Sequence, residues 1–223
     1  MFRTDILVSM QIKGLLFDND GVLTHTEHIY YEVNKRVFDS LNIPYTKKDF
    51  IEHTFDTGLA SSGWMKKNGY ETKVIENFVR LRDMAYRKSI VNAETTEPTA
   101  RPVIKGLKED YFLCIVTNTQ RDMFLHTHGN DEMYQLFDEV VCREDYENAK
   151  PAPDSYIAAL KKAKLEAAEA LVIEDSPRGI EAAHSAGIKV VSITNPHFPN
   201  LNISKADYHI NSLTELANLL KTL

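Results

Sequence analysis

The apolar residues of the chain follow two spacings, and each spacing predicts a different element. A mostly apolar run over residues 11–17 stops abruptly at Asp18-Asn19-Asp20-Gly21, as a buried strand does where its end reaches a polar crevice. From Ile29 onward, apolar residues recur every four positions, at 29, 33, 37 and 41, which is the spacing of one helix face. We therefore expect a strand first and a helix after it.

Helical patterns continue as far as residue 97. Asn42-Ile43-Pro44 ends the first helix, and Thr46 is placed to cap a second one. Residues 58–68 predict a third helix, and Thr72 is expected to cap a longer one with apolar residues at 74, 78, 81 and 85. Residues 24–97 are therefore predicted to form an inserted, all-helical cap domain.

Strand-like and helix-like segments alternate to the end of the chain after a connecting stretch at 95–102. This alternation predicts an α/β fold with a doubly wound parallel sheet, a Rossmann-like core built from residues 10–23 and 98–223. Ser212 and Glu215 are expected to form a capping box at the last helix. The expected strands cover 112–116, 140–142, 170–173, 189–193 and 207–210, and the expected helices lie near 121–128, 153–164, 177–186 and 213–222.

The net charge and the distribution of charged residues disfavour some kinds of binding partner and location. With 26 basic and 32 acidic residues the formal charge is −6, which disfavours a dedicated binder of nucleic acid or of anionic membranes. Charged residues near the N-terminus interrupt each apolar stretch, so we expect neither a membrane span nor a signal-peptide core there. Cys114 and Cys142 lie in apolar runs, which predicts buried thiols in a reducing compartment. We therefore expect a cytoplasmic protein that is a monomer or a weak dimer.

Polar residues of several kinds follow predicted strand ends or lie in a loop between them. Taken singly, each is typical of an ordinary turn or helix cap. The carboxyl ends of parallel strands share one edge of the sheet, so together they are expected to meet in one crevice. They are Asp18 and Asp20 after the first strand, Thr117 and Asn118 after the second, Lys150 in a loop, and Glu174 and Asp175 after the strand at 170–173.

This set of side chains predicts a phosphoryl-transfer site. Several carboxylates in one crevice cannot all stay ionised without a cation, so a divalent metal is expected. Oxygen ligands beside a phosphate favour Mg²⁺. Thr117 adds a hydroxyl donor and Lys150 a positive charge, which together offset the charge on a phosphoryl group in its transition state.

On these residues the chain resembles the haloacid dehalogenase superfamily of phosphohydrolases, in the branch whose helical cap follows the first motif. The four motifs occur in order at residues 17–23, 116–118, 150–154 and 173–179. The resemblance spans nearly the whole chain. Within this superfamily the nucleophile is the first aspartate of the first motif, here Asp18, and the dehalogenases typically lack a second aspartate two residues later. The presence of Asp20 therefore implies a phosphatase or a mutase.

The resemblance also implies a role for each residue. Asp18 would attack phosphorus to form an aspartyl-phosphate, and Asp20 would serve as general acid and base. Thr117, Asn118 and Lys150 would hold the phosphoryl group. The implied Mg²⁺ ligands are the Asp18 carboxylate, the Asp20 backbone carbonyl and Asp175. Glu174 would either bind the ion itself or contact the residues that do.

Four functions compete at this point. The leading hypothesis is a Mg²⁺-dependent phosphatase acting on a small phosphorylated metabolite, such as a sugar phosphate or phosphoglycolate. A phosphomutase of the β-phosphoglucomutase kind shares the same motifs and cap position. A receiver-like signalling module is disfavoured by the helical insert after the first strand, and a catalytically silent binding protein is disfavoured by the complete set of expected catalytic residues.

The helical cap is expected to recognise the leaving group, because in proteins of this type it closes over the core. The predicted contacts come from the loop at 53–58 and from the hinge residues His25 and His28. At His25 this chain carries an imidazole where many relatives carry an acid. His126 and His128 are expected to lie at the C-terminal end of a helix, where the helix dipole favours a positive charge.

Overall fold

A computed structural model describes residues 11–91 and 93–223 of the chain. The strands are β1 (Gly14–Phe17), β2 (Phe112–Val116), β3 (Glu139–Val141), β4 (Ala170–Glu174), β5 (Lys189–Ile193) and β6 (Tyr208–Ile210). All strand pairs are parallel, and they form one sheet in the order β3-β2-β1-β4-β5-β6. The predicted parallel sheet is confirmed.

The sheet is covered on both sides because its central strands are apolar on both sides. Leu15 and Phe17 pack into a hydrophobic cluster on one face, whereas Leu16 packs into a cluster on the other. β1 lies between β2 and β4, and Phe17 is aligned with Ile115 on one side and Ile173 on the other. The carboxyl ends of these three strands therefore lie side by side at one edge of the sheet, which is where such sheets bind ligands.

Helices make up most of the remaining structure. The α-helices of the described residues are α1 (Glu27–Ser40), α2 (Lys47–Ile51), α3 (Ser61–Lys67), α4 (Thr72–Ile90), α5 (Ala100–Leu107), α6 (Arg121–His128), α7 (Asp154–Ala163), α8 (Pro177–Ser185) and α9 (Leu216–Leu220). A π-helical turn covers Glu52–Asp56. Short 3₁₀ turns cover Glu132–Leu136, Arg143–Asp145, Ala167–Glu169 and Leu213–Glu215.

Helix α5 begins inside the stretch that the sequence predicts to be a connection. Pro102 lies in its first turn, where a missing backbone N–H costs no helical hydrogen bond. Ala100, Ile104 and Leu107 are buried against the sheet. The prediction of an irregular connection over 95–102 is therefore wrong at its C-terminal end, because a proline in the first turn does not prevent a helix.

Helices α1 to α4 have a hydrophobic cluster of their own. Phe38 of α1 stacks on Phe78 of α4 with ring centroids 4.2 Å apart, and Phe50 of α2 is fully buried beside them. Phe198, from the segment after β5, joins the same cluster. The division into a cap of residues 24–97 and a core stays a prediction.

Of the three predicted helix caps, one is confirmed and two are wrong. Thr46 caps α2 through a complete capping box, as predicted. Thr72 does not cap α4, because Glu71 holds that position and Thr72 is the first helical residue. Ser212 and Glu215 do not form the predicted reciprocal box, since the Ser212 hydroxyl accepts from the backbone only two residues further on, at the start of a 3₁₀ turn.

Three further sequence predictions concern thiols, membranes and the N-terminus. Cys114 and Cys142 are buried free thiols, as predicted. Each helix of the described residues is too short or too polar to span a bilayer. The predictions for residues 1–10 lie outside the described residues.

Candidate active site

The loop after β1 is a tight turn pressed against the residue that follows β4. The Asn19 carbonyl accepts the N–H groups of Leu23 at 2.9 Å and Thr24 at 3.1 Å, which closes the loop. Gly21 has a φ of +89°, in the left-handed region that favours glycine. A Cβ at this position would lie 1.9 Å from Asp175 Oδ2. The glycine therefore allows the Asp175 carboxylate to approach the loop.

Lys150 joins the ends of three strands. Its Nζ donates to Asp18 Oδ1 at 2.7 Å, to Glu174 Oε1 at 2.8 Å and to the Val116 carbonyl at 2.9 Å. The side chain is only 2% exposed, so its charge depends on these partners. Burial opposes the charged form, but the Asp18 and Glu174 carboxylates outweigh it and raise the pKa of Lys150.

Three carboxylates lie beside this lysine in a group that could hold a metal ion. Each of Asp18, Glu174 and Asp175 offers an oxygen within 4.8 Å of the others. Burial, reinforced by the charge of Glu174, raises the pKa of Asp18 to about 7, and the same causes raise the pKa of Asp175 well above its usual range. The protein alone thus disfavours a fully ionised cluster, and a divalent cation bound by these oxygens would remove that penalty. The donor set fits a hard ion such as Mg²⁺.

Glu174 differs from the other two carboxylates because both of its oxygens accept from protein donors. Oε1 accepts from Lys150 Nζ and from Tyr156 Oη at 2.9 Å, and Oε2 accepts from Ser176 Oγ at 2.9 Å. Gly179 of α8 leaves room for this arrangement, since a Cβ there would lie 1.8 Å from Glu174 Oε1. Asp18 and Asp175 are therefore better placed than Glu174 to bind a metal directly.

Asp20 lies outside this acidic group and is surrounded by hydroxyl groups. Thr26 Oγ1 donates to its Oδ1, and Thr119 Oγ1 donates to its Oδ2 at 3.2 Å. Thr117 Oγ1 lies 3.4 Å from the same Oδ2. Sequence reasoning missed Thr26 and Thr119. The spacing of Thr119, two residues after Thr117 beyond the same strand, is the signal that was available.

Asn118 connects the loop after β2 to the loop that carries Lys150. Its Oδ1 accepts from Tyr146 Oη at 2.8 Å and from the Lys150 backbone N–H at 3.4 Å. The single Tyr146 hydroxyl hydrogen is shared between Asn118 Oδ1 and the Thr117 carbonyl, which lies 2.9 Å from Oη. The predicted site residues of all four motifs thus meet at one edge of the sheet.

A cavity of about 500 Å³ opens above these residues, between the sheet edge and the α1–α4 helices. Part of the 53–58 segment lines it, as predicted, with Thr54, Phe55 and Gly58. His25 and His28 are not among the described residues that line it: His25 pairs with Glu97 at 2.9 Å, and His28 stacks on His197 with centroids 4.1 Å apart. Sequence reasoning missed the side chains that α1 and α4 contribute, namely Glu27, Tyr30, Arg82, Asp83, Tyr86 and Arg87.

His128 is not the charged helix cap that its position predicts. The ring is buried and stacks on Tyr134 with centroids 4.3 Å apart. Its Nε2 lies 3.2 Å from Asn19 Nδ2. Burial lowers the pKa of His128, and the nearby Asp20 and Asp131 carboxylates only partly oppose this.

Comparison with known proteins agrees with the motifs and the fold. The profile of the family described as haloacid dehalogenase-like hydrolase matches residues 15–193. The chain belongs to this family. The chain is also similar to (DL)-glycerol-3-phosphatase 2 of Arabidopsis thaliana, which is 30% identical over 220 residues, with coverage of 92% of this chain and 88% of that protein.

Two further relatives extend the comparison. A phosphorylated carbohydrates phosphatase of Thermotoga maritima is 28% identical over 180 residues, covering 80% of this chain and 83% of that protein. The crystal structure of a β-phosphoglucomutase from Clostridium difficile superposes with a TM-score of 0.74 at 18% identity, covering 92% of this chain and 93% of that one. The first relative is named for hydrolysis of phosphate esters, and the second shares the fold.

Proposed function

We propose that this hydrolase is a Mg²⁺-dependent phosphatase that cleaves a small phosphorylated metabolite through an aspartyl-phosphate. The observation that carries the proposal is the Lys150 ammonium, which bridges Asp18 and Glu174 beside Asp175 at the floor of the cavity. A phosphoryl group at this point meets a nucleophile, a buried positive charge and a set of metal-binding oxygens.

The reaction would proceed in two displacements. Asp18 attacks phosphorus, the bond between phosphorus and the leaving oxygen breaks, and Asp20 donates its proton to that oxygen. Asp20 then removes a proton from a water molecule, whose oxygen attacks the aspartyl-phosphate and releases inorganic phosphate and the free Asp18 carboxylate. The hydroxyl groups of Thr26 and Thr119 hold the Asp20 carboxyl group for both transfers.

The remaining residues hold the phosphoryl group and the metal. Thr117, Asn118 and Lys150 would bind the phosphoryl oxygens, and Mg²⁺ supplies the positive charge that offsets them. The atoms proposed to hold Mg²⁺ are the carboxylates of Asp18 and Asp175 and the backbone carbonyl of Asp20, with Glu174 behind them.

The size and the lining of the cavity also support the proposal of a small substrate. Its volume of about 500 Å³ lies within the usual range for metabolite sites. Arg82 of α4 faces it with a side chain that is 12% exposed and that donates to Tyr30 Oη at 2.5 Å. A sugar phosphate or a phosphoglycolate-like compound would place its polar leaving group against these side chains.

The decisive experiment measures phosphate release from sugar phosphates, glycerol 3-phosphate, phosphoglycolate and nucleoside monophosphates, with Mg²⁺ and with a chelator. We expect release from one substrate class, its loss with the chelator, and its loss in Asp18→Asn. The exposed Asp110→Asn is the matched control and should release phosphate like the unmodified protein.

Three outcomes would contradict the proposal. Isomer conversion of a sugar phosphate without net phosphate release indicates the mutase instead. A lasting aspartyl-phosphate without turnover indicates a signalling or binding protein. Normal turnover in Asp18→Asn would refute the nucleophile assignment.

A further inference from the structure

Two buried polar side chains meet beside the loop that carries Asp18 and Asp20, and both line the cavity. Asn19 is 1% exposed and His128 is 4% exposed. The Asn19 Nδ2 and His128 Nε2 atoms are 3.2 Å apart. A buried amide and a buried imidazole are costly without hydrogen bonds, and the contact gives the Asn19 Nδ2 group and the imidazole a partner, whereas Asn19 Oδ1 has none among the described residues.

The His128 ring is held in one orientation by aromatic neighbours. It stacks on Tyr134 at an interplanar angle of 27°, and the Phe124 ring lies 5.1 Å away. The Asn19 Nδ2 group carries only donor hydrogens, so His128 Nε2 accepts and the ring proton is on Nδ1. The C-terminal end of α6 therefore presents a fixed acceptor to the loop.

Asn19 is well placed to transmit this constraint. It separates Asp18 from Asp20, and its own carbonyl accepts the N–H groups of Leu23 and Thr24 that close the loop. The contact between the Asn19 and His128 side chains therefore ties the backbone between the two aspartates to the end of α6. We propose that His128 is a positioning residue, which through Asn19 holds the Asp18 and Asp20 carboxyl groups in the geometry needed for phosphoryl transfer.

This inference rests on the proposed phosphatase function, and it makes a specific kinetic prediction. The side chains proposed to bind the phosphoryl group, Thr117 and Lys150, lie on other loops, and the bonds from Lys150 to Glu174 and to the Val116 carbonyl do not involve the loop that His128 contacts. Loss of the Asn19 contact should therefore lower kcat and leave KM nearly unchanged.

The test compares three variants. His128→Phe keeps the ring and its stacking but removes the acceptor, and we expect kcat to fall by about tenfold or more, as small misplacements of reacting groups do. His128→Gln keeps an acceptor at a similar reach and should restore most of kcat. His126→Phe makes the same change at an exposed position of the same helix and is the control, so its kcat should match that of the unmodified protein.

Hydrogen exchange of residues 19–24 in the same variants gives a measurement that needs no activity. Exchange of the Leu23 and Thr24 amides should be faster in His128→Phe and near normal in His128→Gln. If the unmodified protein releases no phosphate from any substrate, the proposed function fails, and this exchange pattern still decides whether His128 holds the loop.

Three results would overturn the positioning role. The first is a kcat in His128→Phe within about twofold of the unmodified protein, well short of the expected loss. The second is a His128→Gln variant as impaired as His128→Phe, in kcat or in exchange. The third is a change confined to KM, which would mean that the ring contacts the substrate itself.

Discussion

At the scale of single residues, the site depends on how closely two loops approach each other. The Asp175 carboxylate lies against Gly21, and Asn195 Nδ2 donates to its Oδ2 at 2.6 Å. The carboxylate is therefore fixed from two sides. Such an arrangement leaves no space for a side chain at position 21.

Substitution of Gly21 tests this close approach. In Gly21→Ala the new methyl group must displace Asp175, so we expect phosphate release to fall by about a hundredfold. The matched control is Gly69→Ala, which also has a positive φ, +79°, but whose Cβ would meet nothing within 4 Å. Both variants should lose about 1–2 kcal/mol of unfolding free energy from backbone strain, measured by urea denaturation. Equal activity in the two variants would contradict the role of the Asp175 approach.

At the scale of elements, α4 supplies the wall of the cavity that faces the sheet edge. Its residues Arg82, Asp83, Tyr86 and Arg87 line the cavity, whereas Arg80 is exposed on the surface. The helix periodicity explains why, since neighbouring positions on one helix point in different directions.

Removing one cation from this wall should change substrate binding. For the substrate identified by phosphate release, we expect Arg82→Leu to raise KM by about tenfold or more, because a hydrogen bond to a charged donor is lost inside the cavity. Arg80→Leu removes a cation from the same helix outside the cavity and should leave KM unchanged. Steady-state kinetics of the two variants measure the difference, and equal KM values would place the leaving group elsewhere.

At the scale of the whole molecule, the acidic cluster should couple metal binding to folding. The cluster exists only when β1 and β4 are paired, so we expect the folded state to bind Mg²⁺ and the unfolded chain not to bind it. A ligand of this kind stabilises the fold by about 2.7 kcal/mol at a concentration one hundred times its Kd.

Thermal unfolding with and without Mg²⁺ measures this coupling independently of activity. We expect Mg²⁺ to raise Tm by roughly 5–10 °C in the unmodified protein and in the control Asp110→Asn. In Asp175→Asn the increase should be mostly lost, because a carboxylate ligand is gone. A full increase in Asp175→Asn would show that Mg²⁺ binds elsewhere.

Local patterns in the sequence determine the strands, most of the helices and the residues at the strand ends. The apolar run before Asp18 can be buried only as a central strand, and the order of the motifs places Thr117, Lys150 and Asp175 at the same edge as that strand. These features follow from spacing and chain order alone. They therefore required no knowledge of contacts between distant segments.

Only the tertiary structure decided which residues surround that edge. Arg82 faces the cavity because α4 packs on α1, whereas His25 pairs with Glu97 and does not line the cavity. His128 is buried against Asn19 although its sequence position is that of an exposed helix end. These contacts join residues far apart in the chain, so their burial and partners depend on packing, which local periodicity does not encode.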